Sequence, residues 1–193
     1  MQIREATELD IPEILEVLKA SLGETSSKKT EAVWRYKHLD NPFGKSLVLV
    51  AVENGSIIGV RALMRWKWQL GGKVFSAFRA VDTATHPEHR GKGIFKKLTL
   101  RAIDIAKEKG DTFIFNTPNT QSLSGYLNMD WKEVDKLKIR VKPANPFNWF
   151  ANKTNISYTV NNSCEGDQLA DLVSGYNTLK VGKNKCFTLK FTE

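Results

Sequence analysis

Three long β-prone runs joined by two tight glycine turns constrain this chain more than any other feature. Leu47–Glu53 (LVLVAVE) meets Asn54-Gly55, the strongest short hairpin signal, because a type I′ turn needs positive φ at both central residues. Ile57–Leu70 returns from that turn, Gly71-Gly72 makes a second one, and Lys73–Thr85 forms the third run. An antiparallel meander follows from this pattern, and His86-Pro87 ends it. The period then changes. Ile94, Leu98, Ala102 and Ile105 mark one face of a helix over Gly93–Lys109, Gly110 stops it, and Thr112–Thr117 is again β-rich. A strand, a helix and a strand in succession require a parallel crossover. The predicted class is α/β in the mixed α+β sense, a mostly antiparallel central sheet flanked by helices.

Shorter elements flank this centre. Met1–Thr7 reads as a first strand, which makes Lys73–Thr85 the fourth. A helix follows, with Asp10 as its cap, Glu13 as the reciprocal partner and Leu9 and Ile14 as a hydrophobic staple. Thr30–Leu39 is a second helix carrying Trp34, Arg35 and Tyr36, ended by Asn41-Pro42. A short helix near Ser122–Asn128 and a strand over Trp131–Val141 complete the set. After Pro143 the chain becomes rich in Asn, Pro and aromatic residues and loses its period. The expected division is a first unit over residues 1–142 and an extension over 143–193, with Phe187–Phe191 as a late strand. The apolar helix expected at Gln168–Leu179 and the aromatics Phe147, Trp149 and Phe150 then need a partner. They would pack on the first unit, pair with another chain as in a homo-oligomer, or await a continuation.

The chain of 193 residues is 41% hydrophobic and 26% charged, which excludes disorder. No apolar run approaches the ~18 residues of a membrane span, and the N-terminus MQIREATELD lacks the apolar segment of a signal peptide. A cytoplasmic protein is expected. Cys164 and Cys186 have no metal-ligand neighbour at a standard spacing and read as free thiols, so no metal is expected. The net charge of +8 favours an anionic partner: nucleic acid, acidic lipid or a phosphorylated cofactor. The basic residues form no dense tract interleaved with stacking aromatics, which argues against nucleic acid.

The segment HPEHRGKGIF, His86–Phe95, selects the phosphorylated cofactor. It joins a strand to a helix through Arg90, Gly91, Lys92 and Gly93. Glycines permit positive φ and a close backbone approach. The first N–H groups of a helix lack internal partners and, with the helix dipole, make an anion site suited to a pyrophosphate. Lys92, Lys96 and Lys97 add charge beside it. Neither a Walker loop nor G-x-G-x-x-G after a first strand is present.

Element order and motif together resemble the GCN5-related N-acetyltransferases, the GNAT superfamily. That family's signature R/Q-x-x-G-x-G/A follows its fourth strand. Here it is Arg90-Gly91-Lys92-Gly93-Ile94-Phe95, with Phe95 departing from the small last residue. A second family pattern, N-x-x-S/A-x-x-x-Y, matches Asn119, Ser122 and Tyr126, with Asp130-Trp131 in place of the later Gly-Phe. The resemblance covers roughly residues 1–142. The stretches VDTATHPEHRGKGIFKKLT and WRYKHLDNP resemble a bacterial subgroup linked to surface-polysaccharide pathways, whose members often continue into a second GNAT-like half. The extension from residue 143 would be the start of such a half, incomplete here.

The resemblance implies acetyl transfer from acetyl-CoA to a primary amine, an amino sugar or nucleotide-linked sugar in the subgroup. An alkyl amine of pKa near ~10 is mostly protonated at neutral pH and must lose a proton before it attacks, and the departing thiol has a reference pKa of ~8.5. Tyr126 would be the general acid. Asp82, the only acidic residue on the fourth strand, is the candidate base; its alternative is a carboxylate tied to a neighbouring group, and a water chain would also serve. Thr83, Ala84 and Thr85 would offer backbone groups to the pantetheine arm, acting as an extra half-strand. Trp34, Arg35 and Tyr36 would line the acceptor side, or simply pack the second helix on the sheet. Two other classes stand beside the enzyme: a module that holds acyl-CoA without turnover, and a nucleic-acid binder.

Overall fold

Asn54 and Gly55 adopt the left-handed conformation that their types favour (φ 52° and 81°) and fold Leu47–Glu53 (β2) onto Ser56–Leu70 (β3). In this computed structural model the described residues are 1–24, 28–70, 72–136 and 186–191. Lys73–Thr85 (β4) pairs with β3 along almost its whole length, from Leu70↔Lys73 to Gly59↔Thr85. Gln2–Glu5 (β1) runs antiparallel to β2 on the outer edge. The expected crossover is present: β4, a helix over Ile94–Glu108, and Phe113–Asn116 (β5), parallel to β4. Lys132–Lys136 forms β6 and Cys186–Phe191 forms β7. The sheet order is β1-β2-β3-β4-β5-β7-β6, and only the β4–β5 pair is parallel.

The place of β7 corrects the expected boundary. It lies between β5 and β6, with Leu189 opposite both Phe115 and Lys132, so the end of the chain belongs to the first unit's sheet. The compact unit comprises Met1–Leu137 and Gly182–Glu193. Composition pointed to the break after Val141, but long-range strand pairing is not written in local composition. The expected helix at Gln168–Leu179, the aromatics Phe147, Trp149 and Phe150, and Cys164 lie outside the described residues.

Each sheet face has its own core. Ile11–Leu22 (α1) and Glu31–His38 (α2) cover one face, where Ile14, Leu18, Trp34, Val50, Val60 and Ala62 are buried. Ile94–Glu108 (α3) covers the other, with Ile94, Leu98 and Ala102 against Leu49, Leu63 and Phe78. Thr120–Leu127 (α4) adds Tyr126 to that second core. Gly59 lets α3 approach β3, since a Cβ there would fall 2.7 Å from Ile94 Cγ2.

The entry to α1 differs from expectation. A single 3₁₀ turn, Glu8–Asp10, precedes the helix, and the reciprocal bonds run between Thr7 and Asp10. Asp10 accepts from the Thr7 N–H (2.7 Å) and hydroxyl (3.0 Å) and takes both Arg4 guanidinium nitrogens at 2.7 Å. The Arg4 bonds, helped by those from Thr7, hold the Asp10 carboxyl well below the usual carboxylate range. Leu9 is 92% exposed, so no staple forms. Glu13 instead accepts from the Ile57 N–H at 2.7 Å. No helix among the described residues is long and apolar enough to cross a membrane.

Candidate active site

The glycine turn takes the form its residues suggest. Gly91 (φ 77°) and Gly93 (φ 71°) are both left-handed, and Gly93 is the N-cap of α3 with no side chain capping the helix. The Lys97 N–H is the one that closes onto the Gly93 carbonyl, so the N–H groups of Ile94, Phe95 and Lys96 lack intrahelical acceptors. A Cβ at Gly91 or Gly93 would meet nothing within 4 Å. The turn is thus an open cradle of backbone donors at the positive end of a 15-residue helix. Arg90 reaches back to α1, with Nη2 3.4 Å from the Ser21 carbonyl and 3.3 Å from its hydroxyl. Lys92 Nζ lies 3.6 Å from Glu53 and 3.2 Å from His89 Nδ1. His86, Glu88 and His89 bring ligand atoms within 4.8 Å of one another, a grouping the sequence did not suggest.

The strand that leads into this turn, β4, is only partly paired on its β5 side. β4 pairs with β5 only over Ala77–Arg79, so beyond Arg79 its β5-facing edge has no strand partner among the described residues. Thr83, Ala84 and Thr85 lie on that free stretch. Opposite Arg61 the β3–β4 register slips, leaving Asp82 at φ 41°. A non-glycine residue there costs roughly 1–2 kcal/mol, which its neighbours must offset.

Asp82 turns toward α2. Its Oδ2 accepts from Lys37 Nζ and from His38 Nε2 at 3.1 Å. Burial opposes its ionisation, but the His38 hydrogen bond and the Lys37 charge hold it well below the usual carboxylate range. His38 is 1% exposed and its Nδ1 lies 2.9 Å from the Ser46 hydroxyl. Burial pulls His38 below its ordinary value, offset only in part by Asp82. With Nε2–H donating to the carboxylate, Nδ1 accepts from Ser46. Sequence reading missed this Lys37–Asp82–His38–Ser46 network, although Lys37 and His38 follow directly on the Trp34-Arg35-Tyr36 triplet it singled out.

That triplet is not gathered into one wall. Trp34 is 4% exposed and packs against His38, with ring centroids 4.1 Å apart and planes tilted by 50°. Arg35 is held at 2.8 Å by both Glu8 and Glu31. Tyr36 is 67% exposed. A small depression beside Trp34 is lined by Thr30, Val33, Lys37 and Asp82.

On the opposite face, Tyr126 Oη accepts a 2.6 Å hydrogen bond from Arg61 Nη1, which also donates to Thr83 Oγ1 at 2.8 Å. Tyr126 is 3% exposed, and no acceptor for its hydroxyl proton is present among the described residues. Phe95 lies edge-on to Tyr126 (5.3 Å, 85°), and a Cβ on Gly125 would come 3.0 Å from Phe95 Cε1. The departure at Phe95 therefore fills space toward α4 and stays clear of the glycine turn. Asn119 and Ser122 are occupied with each other. Asn119 caps α4 by accepting from the Ser122 N–H at 2.9 Å and its hydroxyl at 2.8 Å. They orient the helix that carries Tyr126.

An uncapped glycine turn opening a long helix, beside a strand edge without a partner, is an arrangement suited to a phosphorylated ligand. A family model described as Acetyltransferase (GNAT) domain matches residues 2–134, and the chain belongs to this family. The chain is 36% identical over 66 residues to the L-amino acid N-acyltransferase MnaT of Escherichia coli (strain K12), a match spanning 33% of this chain and 35% of that protein. Among solved structures, a GNAT family acetyltransferase from Brucella melitensis in complex with acetyl-CoA superposes with a TM-score of 0.54. It is 23% identical, over 68% of this chain and 82% of that one. The ribosomal-protein-S18-alanine N-acetyltransferase of Escherichia coli gives a TM-score of 0.62 at 10% identity, over 100% of this chain and 94% of that one.

Proposed function

We propose that this chain is an acyl-CoA-dependent N-acetyltransferase whose acceptor is a primary amine. The observation that carries the reading is the uncapped Gly91–Gly93 turn opening α3 beside the unpaired edge of β4. The N–H groups of Ile94, Phe95 and Lys96, with Arg90 and Lys92 at the rim, would hold the pyrophosphate. The backbone of Thr83, Ala84 and Thr85 would pair with the amides of the pantetheine arm. When bound, acetyl-CoA supplies the acetyl group as a thioester and departs as the thiol.

Tyr126 donates its hydroxyl proton toward the thioester sulfur and so acts as the general acid. Asp82 takes a narrower role than a general base. A carboxylate held ionised by Lys37 and His38 accepts a proton poorly, and it serves instead to orient a cationic acceptor and the water that removes its proton. For the acceptor itself, the amino-sugar class follows the subgroup likeness and the α-amino group of an L-amino acid follows the MnaT likeness; both are primary amines.

Thiol release from acetyl-CoA, followed with an amine panel spanning amino sugars, amino acids and polyamines, tests the reading. An amine-dependent release supports it. Tight acetyl-CoA binding with no release for any amine would make the chain a binding module instead.

A further inference from the structure

Arg61 is the largest fully buried side chain among the described residues, at 0% exposure. Its surroundings supply ring faces and hydroxyls but no opposite charge. Its guanidinium touches the Thr83 hydroxyl on β4, the Tyr126 hydroxyl and ring on α4 (5.3 Å to the centroid), and the Phe95 ring on α3 (5.8 Å). All are neutral. No carboxylate pairs with it among the described residues, and its Nε and Nη2 have no hydrogen-bond partner. Arginine does not shed its proton, so the positive charge stays. A lone buried charge is costly, and replacing a buried charged group with apolar volume is often neutral or stabilising. The residue therefore points to an anion that arrives or forms beside it.

We propose that Arg61 is the counter-charge for the sulfur of CoA, acting through Tyr126; the inference rests on the cofactor reading above. When the acyl carbon–sulfur bond breaks, the electron pair goes to sulfur. If the Tyr126 proton stays on oxygen, its hydroxyl donates a hydrogen bond to the thiolate. If the proton moves to sulfur, the negative charge passes to Oη, already 2.6 Å from Arg61 Nη1. Either way one negative charge ends beside the guanidinium. Arg61 is thus a positioning residue: it fixes the Tyr126 oxygen and favours the anionic form of the leaving group.

The test reads the ionisation of bound CoA by the ultraviolet absorbance of its thiolate across pH, together with affinity and melting temperature. In the wild-type protein the bound thiol should titrate at least one pH unit below its ordinary ~8.5. Arg61→Met should return most of that shift, leave acetyl-CoA affinity within about threefold, weaken CoA itself at alkaline pH by about tenfold, and raise the melting temperature. Arg61→Lys, which keeps a charge, should retain part of the shift. An equal thiol titration in wild type and Arg61→Met, with acetyl-CoA bound by both, overturns the role of Arg61 alone. Should Arg61→Met fail to fold, the role is overturned unless Arg61→Lys keeps part of the shift. Failure of the wild-type protein to bind CoA or acetyl-CoA overturns the cofactor reading and this inference with it.

Discussion

Tyr126 carries the sharpest residue-scale expectation. Tyr126→Phe keeps the ring against Phe95 and Trp131 but removes the hydroxyl donor. Turnover should fall by ~100-fold with acetyl-CoA affinity retained, measured by thiol release and by calorimetry. Unchanged turnover would return Tyr126 to the core. His38 makes a different prediction, about stability. Its folded pKa lies below the unfolded value of ~6.5, so the unfolded state binds more protons and stability falls as pH drops below that value. Asp10 and Asp82, also depressed, contribute above their unfolded values near ~3.9 and lose that contribution only in stronger acid. Between pH ~7 and ~5 the loss is therefore expected from His38, at up to about 1.4 kcal/mol per pH unit. In His38→Gln the fall in melting temperature over that range should flatten; an identical slope would remove His38 as its cause. The place of Tyr126 on a short helix capped by Asn119 was legible because its spacing from Asn119 and Ser122 is a local pattern. Arg61 was not. In RALMRWKW, every basic residue looks like the solvent side of an alternating strand. The one available signal was parity: Arg61 shares a strand face with Leu63, which packs under α3.

The elements that carry the site followed from turn chemistry and period. Asn54-Gly55 closes the β2–β3 hairpin as expected, and the 3.6-residue stripe of Ile94, Leu98, Ala102 and Ile105 is the buried face of α3. The failures share a physical cause. Asp10 looked like a cap because capping residues precede an apolar stripe, but Thr7 three residues earlier competes for the same role and Arg4 draws Asp10 away. The position of β7 was invisible because pairing with β5 and β6 depends on partners far away in the chain. Its placement makes an element-scale prediction. Leu189→Pro would remove a ladder donor from a central strand flanked on both sides. A cost of ~3 kcal/mol is expected, from one lost ladder hydrogen bond and the partner carbonyl left without its donor. The melting temperature should drop by roughly 6–12 °C. A melting temperature within about 1 °C of wild type would contradict a β7 inserted between β5 and β6.

At the scale of the whole molecule, the two sheet faces divide the work. The α3–α4 face holds the glycine turn, Tyr126 and the buried Arg61; the α1–α2 face holds Asp82 and its partners. The unpaired end of β4 is the seam between them, and Thr83 and Asp82 are adjacent residues that turn to opposite faces. The net charge of +8 favours an anionic ligand such as a pyrophosphate. The central claim is that the Gly91–Gly93 turn is an acyl-CoA pyrophosphate site. Calorimetric titration of acetyl-CoA into the wild-type protein and into Gly93→Glu tests it most directly. No atom lies within 4 Å of a Cβ at that position, so the variant costs only the ~1–2 kcal/mol of a left-handed non-glycine residue and stays folded. Saturable binding by the wild-type protein, abolished in folded Gly93→Glu, is the expected outcome; equal affinity in the two proteins, or no binding by the wild-type protein, would contradict the claim.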